Sequence, residues 1–457
     1  MDDNMIDAPT GISRRNVLKA AAVGGAGIAS FSALAACSST SATTAPSGTA
    51  TGSAAGKSYK FMDHLIANVP AFESTDAAFK AAAQALGSTS SFTSYDGDMQ
   101  KALSQELTFP TLGINGVHEY LVADGSLPKY AQNLTDKGVF VSNLSNRIPW
   151  FDPSDPKFGG KLIGIVQGPF AEEAYIIAKA LFAAGGGKGK AIRLRGPKGG
   201  LSDNARGVGV DLALKEYSGV QVVATAYTDW DPTKGQKALE ALLPQYPDVK
   251  FILTMNDGLA MGALATLKAA RNTTALLMGC DGDADFLAAM ATEERLVATS
   301  AGLIAFSGLL AATRLFDALS GVKFHPLEAY VDTDSVIVDT KAAAAELLKL
   351  TGPGAPLLWD ATKMSRKLAG NGWITQHNIQ VGNPASFEWG NKPGTTPTPM
   401  PSGFKFNDAY QKALDAGQID TVNADWTARF KDPYTTVRAA ANHKEGALGE
   451  FKRKGII

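Results

Sequence analysis

Phe251-Ile-Leu-Thr-Met-Asn-Asp-Gly-Leu-Ala-Met-Gly-Ala-Leu264 begins as an apolar strand, breaks at two polar residues and continues as a helix. Asn256 and Asp257 therefore stand at the strand's carboxyl edge, and in open α/β sheets ligands bind in the crevice outside such edges. An Asn brings both a donor and an acceptor to a hydroxyl-bearing ligand. Both residue types also cap helices well, so the turn alone fits a plain cap on helix 259–270 equally. The rest of the chain decides between a cap and a ligand contact.

Outward from this stretch, strands and helices alternate, the pattern of layered α/β architecture with parallel strands. Before it, strands are expected at 59–65 and 91–95, a third ending at Gly113-Ile-Asn115, and a fourth at 138–143, with helices at 72–86 and 99–106 and a helical or irregular stretch to residue 135. Pro149, Pro153 and Pro156 interrupt regular structure. A second round follows: strands 162–166, 190–194 and 220–226 with helices 172–184, 203–216 and 233–243. After the opening stretch come strand 275–280, helix 284–292, strand 296–300, helix 306–319 and strand 335–338. Two successive sets of alternating units imply two similar α/β lobes.

Both ends differ from this body. Ser13-Arg-Arg-Asn-Val-Leu-Lys19, a short small-residue apolar run and Leu34-Ala-Ala-Cys37 make a twin-arginine export signal over 1–37. The run is too short and too rich in Gly and Ala for a membrane span. Its end resembles a bacterial lipobox, which implies that Cys37 becomes the lipidated first residue. Residues 38–57, mostly Ser, Thr, Ala and Gly, read as a flexible tether. At the other end, 346–457 form an extension with Pro- and Gly-rich runs such as Lys392-Pro-Gly-Thr-Thr-Pro-Thr-Pro-Met-Pro401. Trp359, Trp373, Trp389 and Trp426 lie in it, too many aromatics for a disordered tail, so it is expected to pack on the lobes.

Composition removes several function classes. The chain has 43 Lys plus Arg against 44 Asp plus Glu, no basic excess for nucleic acid. Besides Cys37 only Cys280 is present, so no disulfide is expected within the processed chain; Cys280 sits in an apolar run and reads as a buried strand residue. Gly185-Gly-Gly-Lys-Gly-Lys190 and Gly196-Pro-Lys-Gly-Gly200 lack the Gly-Lys-Ser/Thr of a phosphate loop. The five histidines show no ligand spacing, and Asp281-Gly-Asp-Ala-Asp285 lacks the Gly and Glu of a calcium loop. No catalytic constellation, metal or cofactor is expected.

Four segments together resemble a family. Ser202-Asp-Asn-Ala-Arg206-Gly-Val-Gly, Tyr227-Thr-Asp-Trp230-Asp, Thr254-Met-Asn256-Asp-Gly-Leu-Ala-Met-Gly-Ala and Gly279-Cys-Asp281-Gly are similar, in order and spacing, to the second lobe of ribose-type periplasmic binding proteins, the sugar receptors of ABC importers. The resemblance runs over about 59–339. It implies a periplasmic-binding-protein type I fold of two lobes joined by three crossovers, 58–167 with 303–332 forming one lobe and 168–302 with 333–345 the other. It also implies an interlobe ligand site with Arg206, Trp230, Asn256 and Asp281 on one side. On the other side Phe72, Asn115 and Asn143 fall where the family has ligand residues. The clamp usually made by Asp-Arg is missing, since Leu144 follows Asn143, and Gly302 replaces a side chain that commonly bonds ligand. With four such residues in family order, Asn256 is assigned to ligand and Asp257 to the cap. The chain is thus expected to be a monomeric, lipid-anchored receptor handing a sugar or polyol to an ABC permease. The alternative is a sensory receptor of the same fold that signals to a membrane kinase.

Overall fold

The computed structural model of the chain describes residues 57–382 and 401–456. The expected export signal, Cys37, nearly all of the tether, Trp389 and most of the proline run lie outside the described residues. In chain order the first lobe runs β1 (Lys60–Leu65), α1 (Pro70–Ala85), β2 (Thr89–Ser94), α2 (Met99–Glu106), β3 (Gly116–Glu119), α3 (Leu127–Thr135), β4 (Phe140–Leu144) and β5 (Leu162–Gln167). The second runs α4 (Phe170–Ala184), β6 (Lys188–Arg195), α5 (Leu201–Glu216), β7 (Gly219–Tyr227), α6 (Pro232–Leu242), β8 (Val249–Thr254), α7 (Asp257–Ala269), β9 (Leu276–Met278), α8 (Ala284–Met290) and β10 (Leu296–Ala301). Then come α9 (Leu303–Leu319), β11 (Tyr330–Thr333), β12 (Val336–Val338), α10 (Lys341–Thr351), α11 (Ala361–Met364), α12 (Arg366–Ala369) and β13 (Ile379–Val381). The last helices are α13 (Asp408–Asp415), α14 (Gln418–Arg429), α15 (Thr435–Ala440) and α16 (Glu450–Arg453).

Two sheets result, ordered β13-β11-β5-β4-β3-β1-β2 and β12-β10-β9-β8-β6-β7. All pairs are parallel except β11–β13 and β10–β12. The near-continuous burial of β1, β5 and β8 is what a sheet covered by helices on both faces demands. Local chemistry starts the helices: Asp98 accepts from the amides of Gln100 and Lys101, and Asp231 from those of Thr233 and Lys234. Gly308 lets α9 lie against α1, since a β-carbon there would stand 2.3 Å from the carbonyl oxygen of Thr75.

The expectation for the third strand is corrected. Residues 107–113 are turns, 114 and 115 are irregular, and β3 begins only at Gly116. Phe109, Leu112 and Ile114 supply apolar residues without a strand, whereas β3 is short and carries the buried polar residues His118 and Glu119.

The chain crosses between the lobes after β5, between β10 and α9, and between β11 and β12. The extension crosses twice more. Its α10 packs on α8 and α15 in the second lobe, while α11 packs on α9 and α1, and β13 joins the first lobe's sheet beside β11. After α14, which packs on β13, the chain returns so that α15 lies on β12. Trp359, Tyr410, Trp426, Tyr434 and Phe451 are buried there, each contributing roughly 1.5–3 kcal/mol of apolar burial. Asp334, in the crossover between β11 and β12, is the polar anchor. Its carboxylate accepts from the amides of Ser335 (2.8 Å) and Leu448 (2.9 Å) and from Asn378 (3.2 Å).

Candidate functional site

Where the carboxyl edges of the two sheets face each other, α5 places Arg206 beneath the cleft, 3 % exposed. Its Nε donates to Glu173 Oε1 of α4 (3.0 Å), Nη1 to the carbonyl of Met255 (2.7 Å) and Nη2 to Asp281 Oδ1 (2.5 Å). Three of the five N–H groups of a guanidinium are thereby engaged by the protein, leaving at most two for anything in the cleft. Phe170 and Trp230 lie 5.1 and 5.8 Å from the guanidinium carbon. The pair is framed further by Ser335, whose hydroxyl donates to Glu173 Oε2 (2.9 Å), so Arg206 is tied to a crossover as well.

Trp230 reaches the cleft through an unusual backbone. Asp229 and Trp230 both have left-handed φ, 52° and 65°, a conformation that costs a bulky residue free energy and is held by its surroundings. One such surrounding is Gly196, where a β-carbon would lie 2.3 Å from the indole.

The opening turn falls where expected, but the cap belongs to Asn256 and not to Asp257. Asn256 is the N-cap of α7, its Oδ1 accepting from Leu259 N at 2.8 Å. It also lines the cleft, and its Nδ2 has no hydrogen-bond partner among the described residues. Asp257 does not cap. Its carboxylate accepts from Asp283 N (2.8 Å) and Thr299 Oγ1 (2.7 Å), joining the starts of α7 and α8 to β10. The cap needs an acceptor on the residue before the helix, so it goes to Asn256 and frees Asp257 for the interior.

On the facing wall, Phe72 at the start of α1 packs against Tyr120, ring centroids 5.0 Å apart, beside Leu144 and Ser145. Two expected residues are elsewhere. Asn115 precedes β3 and accepts from Lys60 N (2.9 Å) at the amino end of β1, the edge opposite the cleft. Asn143 is fully buried and spends its amide within the lobe, Nδ2 on Asn146 Oδ1 (2.9 Å) and Oδ1 on Asn146 N (3.0 Å). The residues that follow the true strand ends, Tyr120 after β3 and Ser145 after β4, line the cleft instead, with Ser202 and Phe170 opposite. Correct strand ends would have found Tyr120 and Ser145; Ser202 stood in the family-like segment without being assigned, and Phe170, which opens α4, had no signal.

The lobes are shut on each other. The cavity between these walls is about 30 Å³, room for about two waters. Beside it, between the alanine face of α1 and Leu358 and Trp359 of the extension, is a cavity of about 340 Å³ that shares Ala71, Asp281 and Ile304 with the first. The smaller one holds the convergent polar groups. Gly302, at φ 103°, stands between lobes and extension: a β-carbon there would meet His377 at 2.8 Å and the Tyr434 hydroxyl at 3.0 Å. The extension therefore occupies the space that a side chain at 302 would need.

A sequence model of the periplasmic binding protein domain matches residues 66–321. The chain belongs to the periplasmic binding protein family. Among its relatives, a D-apiose import binding protein of Paraburkholderia graminis is 30 % identical over 112 residues, 24 % of this chain and 36 % of the relative. A xylitol-binding protein of Mycolicibacterium smegmatis is 28 % identical over 200 residues, 44 % of this chain and 55 % of the relative. The matched stretches thus span well under two thirds of these relatives' lengths. The fold is also that of a crystallised twin-arginine translocation pathway signal protein from Burkholderia phytofirmans, with a TM-score of 0.61 at 17 % identity over 70 % of this chain and 99 % of that one. Two sheets of mostly parallel strands flanked by helices are the type I architecture of the family. No helix among the described residues of this periplasmic binding protein is long and apolar enough to cross a membrane.

Burial sets the protonation of the site. It pushes Asp281 up to about 6, against the pull of Arg206 and with the push of Glu173, and it pushes Asp257 up to about 8, with Asp281 adding to the rise. A carboxyl raised in the fold holds a proton that the unfolded chain releases near pH 4. Its stabilising contribution is complete below that value and is lost as pH rises through the folded value, at about 1.4 kcal/mol per pH unit per proton. The chain is therefore expected to melt at lower temperature at pH 8 than at pH 6.5, and Asp257→Asn is expected to reduce that slope in part, the buried Glu106, Glu119 and Glu172, pushed up to about 10, 7 and 7, supplying the rest. Melting curves at pH 6.5, 7.2 and 8 test this; an unchanged slope in the variant would assign the titration to other groups.

Proposed function

We propose that this protein is the solute receptor of an ABC importer, closing its two lobes on a sugar or polyol and presenting it to the permease. The observation that carries the reading is the convergence of Asp281, Asn256 Nδ2, the free edge of Arg206 and the Trp230 indole with Phe72, Tyr120 and Ser145 from the other lobe. Carboxylate, amide and guanidinium suit vicinal hydroxyls, and the aromatic walls suit the C–H faces between them. Apiose and xylitol, after which two of the relatives are named, belong to the same chemical class. A ligand of five or six carbons exceeds the shut cavity, so it enters only when the lobes part. Binding then favours the closed state because it contacts both walls together.

The reading includes export through the twin-arginine route and attachment by lipid at Cys37, supported by the sequence of 13–37. Cys37→Ser is expected to move the protein from the membrane fraction to the soluble one. For the ligand, a calorimetric and thermal-shift screen of pentoses, hexoses and polyols of four to six carbons is expected to single out one class. Asp281→Asn in that assay should weaken binding at least about tenfold, a hydrogen bond to a charged group contributing about 1.5–3 kcal/mol. Stabilisation by an amino acid or nucleoside, with none by any carbohydrate, would overturn the assignment.

A further inference from the structure

Away from the cleft, β1 and β3 bring His64 and Glu119 side by side in register, and the last residue of α2, Glu106, lies over them. All three are buried, at 0 %, 0 % and 1 % exposure. One nitrogen of His64 and an oxygen of each carboxyl lie within 4.8 Å of one another. Tyr95 and Phe109 stand edge-on to the imidazole at 5.1 and 5.3 Å and close the site with apolar surface.

The hydrogen bonds around the cluster determine which atom of the imidazole faces it. Gln105 donates its Nε2 to the carbonyl of Ser94 (3.0 Å) and to Thr93 Oγ1 (3.2 Å). A carbonyl only accepts, so the amide of Gln105 is oriented with Oε1 toward His64, where it meets Nε2 at 3.1 Å. Nε2 therefore carries the proton, and Nδ1 presents a lone pair to Glu106 Oε1, 3.8 Å away. Burial holds the imidazole neutral, its pKa lowered to about 4. Nδ1 and the four carboxyl oxygens lack a well-formed hydrogen bond from the surrounding residues, the Asn143 amide approaching Glu119 without satisfying it. As carboxylates the two Glu side chains would be strongly disfavoured among these groups, and burial pushes both up, Glu106 to about 10 with Glu119 adding to its rise and Glu119 to about 7, so without a metal the pair holds a proton. A ligating histidine whose other N–H is held by an oxygen acceptor is the usual outer-shell arrangement of a metal site.

We infer that His64 Nδ1, Glu106 and Glu119 bind a divalent transition-metal ion with nitrogen and oxygen ligands, for which Zn²⁺ is the probe. One imidazole and two carboxylates form the donor set, and the 2+ charge neutralises the two carboxylates. The ion would pin the end of α2 to β1 and β3, immediately before Tyr120 in the cleft wall. The competing occupant is a proton shared by the two carboxyls.

The full chain, unfolded in denaturant with a chelator and refolded with or without Zn²⁺, tests the site, with Mn²⁺ run alongside. The expected result is about one equivalent of metal retained through gel filtration and a melting temperature raised by about 3 °C or more at saturation. His64→Ala and Glu119→Gln should lose both. Glu106→Gln separates the two occupants. Its amide can donate to Glu119 in place of the acid proton, so under proton sharing it melts like the wild type; under metal binding it retains no ion and melts like the chelated wild type. Retention of less than about a tenth of an equivalent of either metal by the wild type, with no change in melting, would overturn the inference whatever the variants do.

Discussion

Arg206→Met is expected to unfold this protein far more readily than any other single change in the cleft, with a loss of about 3–5 kcal/mol, the usual result of breaking a buried ion pair from one side. The methionine fills most of the volume. It leaves the Glu173 and Asp281 carboxylates and the Met255 carbonyl, all of which the guanidinium now serves, without that donor. Glu173 also accepts from Ser335, so the disturbance spreads from α5 to a crossover between the lobes. Arg206→Lys should recover only part of the loss, because an ammonium cannot reach three partners set out for a planar fork. The deficit should also be smaller at pH 5 than at pH 8, since the stranded carboxyls take up protons at the lower pH. Denaturant titrations at the two pH values measure it. If Arg206→Met binds ligand poorly yet unfolds like the wild type, the guanidinium serves ligand and the frame described above is wrong.

That dual engagement bears on what the sequence could reveal. The periodicity of the second lobe was legible because its strands are apolar runs ended by polar turns. The opening stretch is the clearest case, with β8 and α7 on either side of Asn256. Which of two adjacent polar residues caps the helix was not legible, because the answer lies in Thr299 and the start of α8, 42 and 26 residues further on. The first lobe was harder for a related reason. Its third strand buries His118 against Asp63 and Glu119 against Glu106 and His64, so it lacks the apolar signature of a central strand. The neighbouring turns, with Phe109, Leu112 and Ile114, carry more of that signature than the strand does. Asn115 followed the apolar residues to the wrong edge of the sheet. The His64, Glu106 and Glu119 cluster was hidden likewise, its spacings set by strand register across 55 residues and not by any local motif.

Truncation after Thr351 should have the largest effect of all: an insoluble or aggregated product instead of a leaner receptor. The sheet of the first lobe would end at β11, whose outer edge β13 now covers, and an uncovered edge strand invites pairing with other chains. The apolar surfaces under Trp359, Tyr410, Trp426 and Phe451 would be opened to water together. Asp334 and Glu172 would lose the backbone amides of Leu448, Gly449 and Phe451 that they accept from. A milder variant keeps the test informative. Trp426→Ala in the full chain should remain soluble, cost about 3–5 kcal/mol as a buried Trp truncation does, and leave ligand affinity within a few fold, since Trp426 is remote from the cleft walls. Because the extension crosses between the lobes twice, it also adds two connections that must bend whenever they part. Gly302→Ala, strained at φ 103° and forcing His377 or Tyr434 of the extension to shift, should therefore lower the melting temperature and also alter the rate of ligand release. Stopped-flow dissociation on the variant decides whether the extension only completes the fold or also takes part in opening it. An unchanged rate would confine it to the former.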